Sequence, residues 1–414
     1  MKYYGVIGNR DHIKIKGEKL PYWEFLDEQP DGWLSSLTYH REDLPEGKPM
    51  IMDCGAWSYK HKDVPPVDAE TVIPEYTRLV GPGSLLIAPD HMLIDGVDHA
   101  ARREWNREQA QRFLETCPDG YHPMACIHGQ TLDERLEHAE ELIGYGYKHL
   151  SVGGVAARAS QKKTVIEIVT ELRKANPGIW LHVLGLSSPA YVREWRKLGI
   201  ESCDGSSHFK QAFTGGAFFT EEDGKLTKHQ AVRPGESAEH LPVCDCIACS
   251  RLRAEGIDTR SYGSNENNMG RAAHNQNMLM RAQRPKIGLV ACCGDKLEGE
   301  HPASDLYQSS LFKKSKEYAE RHCEDWYILS AKYGVIHHSK IISTYDKTLN
   351  DMPAPERKAW IEKVRSVLPR NARYTVLAGN AYCGWTDGYE VERPMQGLGI
   401  GQQLKFLTEY NQYD

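Results

Sequence analysis

The sequence of 414 residues lacks the features of a secreted or membrane protein. No stretch approaches the roughly 18 consecutive apolar residues that a membrane-spanning helix needs. The first residues, MKYYGVIGNR, are too few and too polar to form a signal peptide. The 11 cysteines are an odd number and lie scattered along the chain, unlike a secreted disulfide framework. We therefore expect a cytoplasmic protein that does not bind a membrane.

An excess of positive charge is also absent, since 51 Lys and Arg residues face 57 Asp and Glu residues, for a net charge of -6. That balance argues weakly against a nucleic-acid partner, because phosphate binding depends on Lys and Arg. One local stretch differs, and its four basic residues, with no acidic residue among them, are Arg271, Arg281, Arg284 and Lys286. We predict that these four contact a phosphate backbone. The alternative is an ordinary solvated charged surface.

A group of metal-binding residue types overlaps this stretch. Cys244, Cys246 and Cys249 form a C-x-C-x2-C pattern, and His274 follows after 24 intervening residues. Three thiolates and one imidazole complete a tetrahedral zinc shell. Because four protein ligands leave no position open for water, the predicted zinc is structural and not catalytic. The alternative is three free thiols and an unrelated histidine.

Short apolar runs alternate with amphipathic helical segments between residues 50 and 205. This alternation predicts a parallel sheet, either closed as a (β/α)8 barrel or open and doubly wound. Residues of types that are common in catalytic or binding sites follow the ends of the apolar runs: Asp53, Asp90, His128, Gly154 and Asp204. In a barrel these run ends meet at one mouth, so the five residues would become neighbours.

A new pattern begins after Arg284-Pro285, with a strand at residues 286–293, a helix at 309–321 and further strands and helices beyond. We predict that residues 285–414 form a separate small α/β domain of unknown function. It resembles an uncharacterised domain that carries a Ser-Ala-Lys-Tyr-Gly motif, here Ser330 to Gly334. Residues 1–284 form the first predicted domain, with a zinc subdomain at about residues 240–280.

Residues 1–280 resemble the tRNA-guanine transglycosylase family, because seven short motifs occur in that family's order and spacing. The seven are Asp53-Cys54-Gly55-Ala56-Trp57, Ile87-Ala88-Pro89-Asp90, Ile127-His128-Gly129-Gln130, Val152-Gly153-Gly154-Val155-Ala156, His182-Val183-Leu184-Gly185-Leu186, Cys203-Asp204 followed by Gln211-Ala212-Phe213-Thr214, and the Cys/His group described above. Each short motif alone is weak evidence, but seven matches in the same order argue against a chance resemblance. The resemblance implies a (β/α)8 TIM barrel with a zinc-binding subdomain, followed by the small α/β domain.

The resemblance also assigns two catalytic carboxylates. Asp204 matches the family's nucleophile, which captures the sugar as a covalent intermediate when the glycosidic bond breaks. Asp53 matches a second carboxylate, which handles the proton as one base leaves and another attacks. Taken without the resemblance, Asp204 would be an ordinary turn aspartate before Gly205.

The resemblance further implies a base-binding pocket, formed by Trp57, Asp90, His128, Gly153, Gly154 and Leu184. Asp90 would accept hydrogen bonds from the N1 and exocyclic amino groups of a guanine-like ring. A pocket built for those donors rejects analogues that lack them. The paired glycines would let the backbone approach the flat base closely, because no Cβ intervenes. His128 stands where the family has glutamine, and either donates to the base carbonyl or packs.

Two departures from the family pattern point away from tRNA. Gly205-Ser206-Ser207-His208 replaces the Pro-Thr-Arg segment associated with RNA contacts, and Ala157-Arg158-Ala159 stands where the family tends to carry an acidic group. A branch of the family in bacteria and phages exchanges guanine in DNA for a 7-deazaguanine such as preQ0, and this chain resembles that branch more closely. The expected setting is a bacterial cell or a phage-infected host.

The expected partners are DNA that is single-stranded or has a flipped-out guanine, and a free 7-deazaguanine base. A homodimer is an option that the sequence leaves open. Two alternatives stay open: a true tRNA-guanine transglycosylase, and a non-catalytic zinc-stabilised DNA-binding protein. Asp53 and Asp204 together favour an enzyme over the second alternative, because a binding protein needs no pair of converging carboxylates.

Overall fold

The computed structural model describes residues 1–40 and 42–411. The chain divides into two compact units, with the boundary between Gln283 and Arg284. Within the described residues, no helix has both the length and the apolar character that crossing a bilayer would require.

The first unit contains a closed barrel of eight parallel strands, which confirms the predicted fold class and settles the choice between a barrel and an open sheet. The strands are β1 (Lys2–Ile7), β2 (Gly32–Ser36), β3 (Met50–Asp53), β4 (Leu85–Ile87), β5 (His122–Ile127), β6 (His149–Val152), β7 (Trp180–Val183) and β8 (Ser202–Gly205). They neighbour each other in chain order, and β1 pairs with both β2 and β8 to close the ring.

Helices follow the strands from β3 onward and cover the barrel. They are α1 (Ala56–Tyr59), α2 (Ala69–Leu79), α3 (His99–Thr116), α4 (Leu132–Tyr145), α5 (Lys162–Ala175), α6 (Pro189–Lys197) and α7 (Ser207–Thr214). Local sequence explains where several begin. Asp68 and Thr131 form capping boxes before α2 and α4, and a proline opens α6. The connection after β1 contains a short hairpin and a 3-10 turn at Tyr22–Phe25, and the described part of the connection after β2 contains a 3-10 turn at Leu37–Tyr39.

The interior of the barrel is a packed core and not a channel. A buried cluster from five strands consists of Tyr4, Leu34, Ile51, Leu85, Ile87 and Met124. Leu184, which follows β7, packs against this cluster. Since Leu34 and Leu184 also line the cavity at the barrel mouth, the packed interior forms part of that cavity's floor.

A hairpin and two helices extend the first unit: β9 (Ala217–Glu222), β10 (Lys225–Gln230), α8 (Ile247–Ala254) and α9 (Asn265–Gln283). Helix α9 is buried along most of its length although many of its residues are polar. Its buried amides are satisfied by specific partners. Asn275 bonds Ala217 and Phe219 of β9, and Asn277 bonds the carbonyl of Phe25. The helix therefore ties the hairpin to the segment that follows β1.

The second unit is an open five-stranded sheet with helices. Its strands are β11 (Lys286–Ala291), β12 (Asp325–Ser330), β13 (Gly334–His337), β14 (Arg373–Leu377) and β15 (Glu390–Glu392), and its helices are α10 (Ala303–Leu306), α11 (Ser310–His322), α12 (Ala354–Val367) and α13 (Ile400–Tyr410). The strand order is β13-β12-β11-β14-β15, and only β13 runs antiparallel to its neighbour. The first unit also contains the short hairpin His12–Ile15 with Glu18–Pro21. In the second unit, Glu300–Pro302 and Ile341–Ser343, which are distant in the chain, form a separate antiparallel two-stranded sheet.

The Ser-Ala-Lys-Tyr-Gly motif makes the tight link from β12 to β13. Ser330 pairs with Gly334 across the two strands, and the Ser330 hydroxyl accepts a hydrogen bond from the backbone N–H of Tyr333 at 3.0 Å. Gly334 has φ of +80°, a conformation that favours glycine. The motif is thus a turn signature at the carboxyl edge of the sheet.

Candidate active site and metal centre

The carboxyl ends of the barrel strands surround a cavity of about 170 Å³. One water molecule needs only about 15 Å³ of such space, so the cavity can admit a small planar molecule. It brings together the residues that the sequence suggested for catalysis and base binding: Asp53, Trp57, Asp90, His128, Gly153, Gly154, Leu184 and Asp204.

Asp204 lies on β8 with only 6% of its surface exposed. Its Oδ1 accepts hydrogen bonds from the backbone N–H of Gly185 at 2.8 Å and from His182 Nε2 at 3.1 Å. Within the described part of the chain, no hydrogen bond reaches Oδ2. One oxygen is therefore held in place while the other is available to a molecule in the cavity.

His182 is a site residue that the sequence did not single out. It is completely buried on β7, directly opposite Ser202 in the register with β8. Its Nδ1 lies 2.6 Å from the Ser202 hydroxyl, and its ring stacks parallel to Trp180. With Nε2–H donating to Asp204, Nδ1 accepts from Ser202, which sets one tautomer. One sequence feature could have identified this residue. His182 is a lone histidine in an apolar strand, and Ser202 and Asp204 on the next strand are two residues apart and therefore lie on one face.

Asp53 ends β3, and its Oδ2 accepts a hydrogen bond from Gly55 N–H at 2.9 Å. Gly55 has φ of +89°, and a Cβ there would clash with Thr38, so the turn needs glycine. Burial, and after it the neighbouring Asp90 carboxylate, raise the pKa of Asp53 to about 7. A carboxyl group with such a pKa can take up and release a proton near neutral pH.

Asp90 is 7% exposed and is held from two sides. Its Oδ1 accepts from the Cys54 thiol at 3.2 Å, and its Oδ2 accepts from His128 Nε2 at 2.8 Å. Burial lowers the pKa of His128, but contacts with Cys126 and Asp90 outweigh burial and raise it above its usual value. Because its Nε2 is committed to Asp90, His128 is better placed to orient that carboxylate than to contact a base carbonyl.

The paired glycines and the tryptophan shape the walls of the cavity. A Cβ on Gly153 would clash with the Cys126 sulfur, and Gly154 has φ of +73°. Gly153 is therefore required because there is no space for a side chain, and Gly154 is favoured because of its left-handed backbone conformation. Trp57 is 57% exposed at the rim, where Lys60 Nζ lies 3.2 Å from its ring centroid.

The four predicted metal ligands come together in the first unit. The sulfurs of Cys244, Cys246 and Cys249 and a ring nitrogen of His274 all lie within 4.8 Å of one another. His274 Nδ1 is 3.5 Å from the Cys246 sulfur and 3.3 Å from the Cys249 sulfur. Tetrahedral zinc, with bonds of about 2.3 Å to sulfur and 2.0 Å to nitrogen, would separate such atoms by about 3.6 Å. The cluster can therefore hold a metal ion such as zinc.

The surroundings of the cluster orient its histidine. His274 Nε2 bonds the carbonyl of Phe219 at 2.6 Å, which turns Nδ1 toward the sulfurs. The ring also stacks on Phe218 with a centroid separation of 4.0 Å. Through these contacts the cluster links α8 and α9 to the hairpin strand β9.

The prediction that Arg271 contacts a phosphate backbone is wrong. Its side chain is fully buried, and its guanidinium donates to the carbonyls of Ala212, Thr259 and Ser261 and to the side chain of Asn268. An arginine that is buried inside the fold and donates to these groups cannot contact a phosphate. It instead holds α9 against α7 and the loop before α9.

The other three residues of the basic stretch pair with carboxylates. Arg281 lies 2.6 Å from Asp27 in the first unit. In the second unit, Arg284 lies 2.8 Å from Glu390 and Lys286 lies 3.1 Å from Glu392. The four basic residues do not form one surface of a single unit, and phosphate contact by these three stays a prediction.

Comparison with known proteins gives two findings. Residues 287–409 match a family of unknown function, DUF6884. A DNA-guanine transglycosylase from Salmonella montevideo is 28% identical over 185 residues, which cover 41% of this chain and 43% of that protein. The match thus spans less than half of the relative's length. It supports a relationship to the transglycosylase superfamily in general.

We predict that purified protein carries one metal ion per chain at the Cys/His cluster. Cys246→Ala should lose that ion and lower the unfolding temperature by about 10 °C, because metal binding is coupled to folding and several kcal/mol are at stake. Elemental analysis and thermal unfolding measure both effects. Cys117→Ala, outside the cluster, is the matched control, and full metal content in a Cys246→Ala, His274→Ala double variant would contradict the site.

The raised pKa of Asp53 predicts a pH-dependent stability. In the unfolded chain the pKa returns to about 3.9, so the free energy of unfolding falls as pH rises from about 4 toward 7, where the buried carboxyl ionises. Asp53→Asn keeps an acceptor for Gly55 but cannot ionise. It should therefore raise the unfolding temperature relative to wild type at pH 8, and by less at pH 5.

The exposed Asp119→Asn variant serves as the control for this measurement, since its carboxylate lies at the surface. An Asp53→Asn variant less stable than wild type at pH 8 would show that the Asp53 charge is not the destabilising element.

Proposed function

We propose that this protein is a base-exchange transglycosylase that replaces guanine in DNA with a 7-deazaguanine such as preQ0. The observation that carries the proposal is the convergence of Asp53, Asp90 and Asp204 on one cavity, each in a different hydrogen-bond environment. Similarity to a DNA-guanine transglycosylase supports guanine exchange in DNA as the general activity.

In the first proposed step, Oδ2 of Asp204 attacks C1′ of the target nucleoside while the bond from C1′ to the base breaks. The bonding electrons leave with guanine, and protonated Asp53 supplies the proton that guanine takes up. The products are free guanine and a sugar joined to Asp204 by an ester-like bond. The hydrogen bonds from Gly185 and His182 hold the nucleophile in position and stabilise its charge when it is released.

In the second step, the incoming 7-deazaguanine gives its ring N–H proton to ionised Asp53 and attacks C1′. The bond between the sugar and Asp204 breaks, and its electrons return to the carboxylate. Asp53 acts as acid in one step and base in the next, which its pKa of about 7 suits near neutral pH.

Asp90 is the proposed reader of the base. Each carboxylate oxygen has two lone pairs, and Cys54 and His128 occupy one on each oxygen. The remaining lone pairs can accept the N1–H and amino donors that guanine and 7-deazaguanines share. Trp57 at the rim offers a face on which a base can stack.

The proposed metal at the Cys/His cluster is zinc with a structural role, because four protein donors leave no position for a reacting group. A guanine paired and stacked in a duplex cannot reach a barrel mouth, so the target base must be flipped out or lie in a single strand. Arg281, Arg284 and Lys286 are kept as candidate phosphate contacts.

The covalent step can be tested by intact-mass analysis after incubation with a guanine-containing single-stranded oligonucleotide. Asp204→Ala should form no adduct and lose all exchange, because no other carboxylate is held in the same position. Asp53→Asn should still form the adduct but turn over about 10²- to 10⁴-fold more slowly, the usual contribution of proton transfer. Asp119→Asn should behave as wild type. An adduct mapped to any residue other than Asp204 would refute the nucleophile assignment.

The substrate prediction concerns labelled guanine and labelled preQ0. Both should enter single-stranded DNA best, mismatched duplex less well and a fully paired duplex least, because the cost of unpairing rises in that order. Nucleoside mass spectrometry of each nucleic acid measures incorporation. Incorporation into unmodified tRNA with none into any DNA would identify a tRNA-guanine transglycosylase instead.

A further inference from the structure

The strand order in the sheet of the second unit reverses at β11, which is the first of these strands in the chain and the central strand of the sheet. The chain runs from β11 through α11 to β12 on one side, and after α12 it returns to β14 on the other side of β11. In open α/β sheets, ligands bind in the crevice outside the carboxyl ends of the strands at such a reversal. The crevice between the ends of β11 and β14 is therefore the place to look for a ligand.

A cavity of about 80 Å³ lies at this crevice. Cys292 and Cys293, which directly follow β11, form one side, and residues 377–379 at the end of β14 form the other. A Cβ added to Gly379 would meet no atom within 4 Å, so the backbone here borders open space. The volume is less than half that of the barrel cavity, which limits the ligand to a small molecule.

The first turn of α11 forms a third wall. Ser309 is the N-cap, and its hydroxyl accepts a hydrogen bond from Phe312 N–H at 3.2 Å. The other N–H groups of a first helical turn have no partner inside the helix, and the helix dipole makes this end partly positive. Such an end favours an anionic group.

Ser315 provides a separate sign of a missing ligand. It is 2% exposed and lines the cavity one turn after Leu311, on the same face of α11. Within the described residues its hydroxyl makes no hydrogen bond to another protein group, and it borders the cavity instead of being sealed from it. An acceptor oxygen placed in the cavity would satisfy it.

The remaining lining sets the character of the ligand. Among the described residues around the cavity there is no Asp or Glu to repel an anion, while Leu311, Phe312 and Met395 offer apolar contact. An anion with a short organic part fits both halves of this lining.

We propose that this cavity binds a small phosphate monoester. The phosphate would bind the first-turn N–H groups of α11 and the Ser315 hydroxyl, and the organic part would pack on the apolar side chains. This site is independent of the base-exchange chemistry proposed for the barrel.

The two cysteines supply the test. Full-length protein is alkylated with iodoacetamide, and peptide mass spectrometry follows the rate at Cys292 and Cys293 in the presence of ribose 5-phosphate, inorganic phosphate or unphosphorylated ribose. Ribose 5-phosphate should protect both thiols, inorganic phosphate should compete with it, and ribose should have no effect. Cys117, in the first unit, reports any general change in reactivity.

Ser315→Ala should weaken the protection by about tenfold in apparent Kd, the loss expected for one hydrogen bond to a charged group. Ser310→Ala, at an exposed position of the same helix, is the matched control and should leave binding unchanged. Thermal unfolding of both variants checks that the unit stays folded.

Any of three outcomes would overturn the proposal. The first is no protection by ribose 5-phosphate at about 10 mM, well above a weak millimolar Kd, and the second is an equal loss of protection in the Ser310→Ala and Ser315→Ala variants. The third is protection by a DNA oligonucleotide but by neither ribose 5-phosphate nor inorganic phosphate. The last result would identify this edge as a nucleic-acid contact surface.

Discussion

Closure of eight parallel strands into one ring is the constraint on which the candidate active site depends. Parallel strands place all of their carboxyl ends on one side, and closure makes the first and last strands neighbours. Asp53, Asp90 and Asp204 are far apart in the chain, yet they share one cavity for this reason. An open sheet would have spread the same residues along an edge.

Three carboxylates in one cavity repel each other, and each of the three lies in a different hydrogen-bond environment. Asp90 faces the His128 ring and the Cys54 thiol, while Asp204 accepts from a backbone amide and His182. Asp53 accepts a hydrogen bond from the Gly55 backbone N–H, and burial, followed by the nearby Asp90 carboxylate, raises its pKa to about 7. Different environments of this kind are consistent with the proposed division of roles, in which Asp53 handles the proton and Asp204 is the nucleophile.

In helix α9 the sequence pattern identified a metal-ligand candidate, His274, that the structure places beside the three cysteines, but it led to a wrong prediction that Arg271 is exposed to a phosphate backbone. Its polar composition and its arginines suggested a surface for phosphate, but the helix is the buried support of the first unit. Arg271 donates hydrogen bonds to backbone carbonyls, and His274 on the same helix lies close to the three cysteines. Polar residues tolerate such burial only when each finds a partner, and those partners come from segments distant in the chain. Periodicity within the helix therefore could not reveal them.

The sequence by itself determined the alternation of strands and helices, the metal-ligand set and the order of the acidic motifs, because these follow from local periodicity and residue chemistry. It also predicted the paired glycines as part of the base pocket, and the structure adds that a side chain at Gly153 would clash with Cys126. Only the tertiary structure decided that the sheet closes, that His182 bridges Ser202 and Asp204, that His128 binds Asp90 and that Arg271 is buried. Each of these depends on the register between strands or on contacts across the fold. The spacing of residues along one element does not determine the register or those contacts.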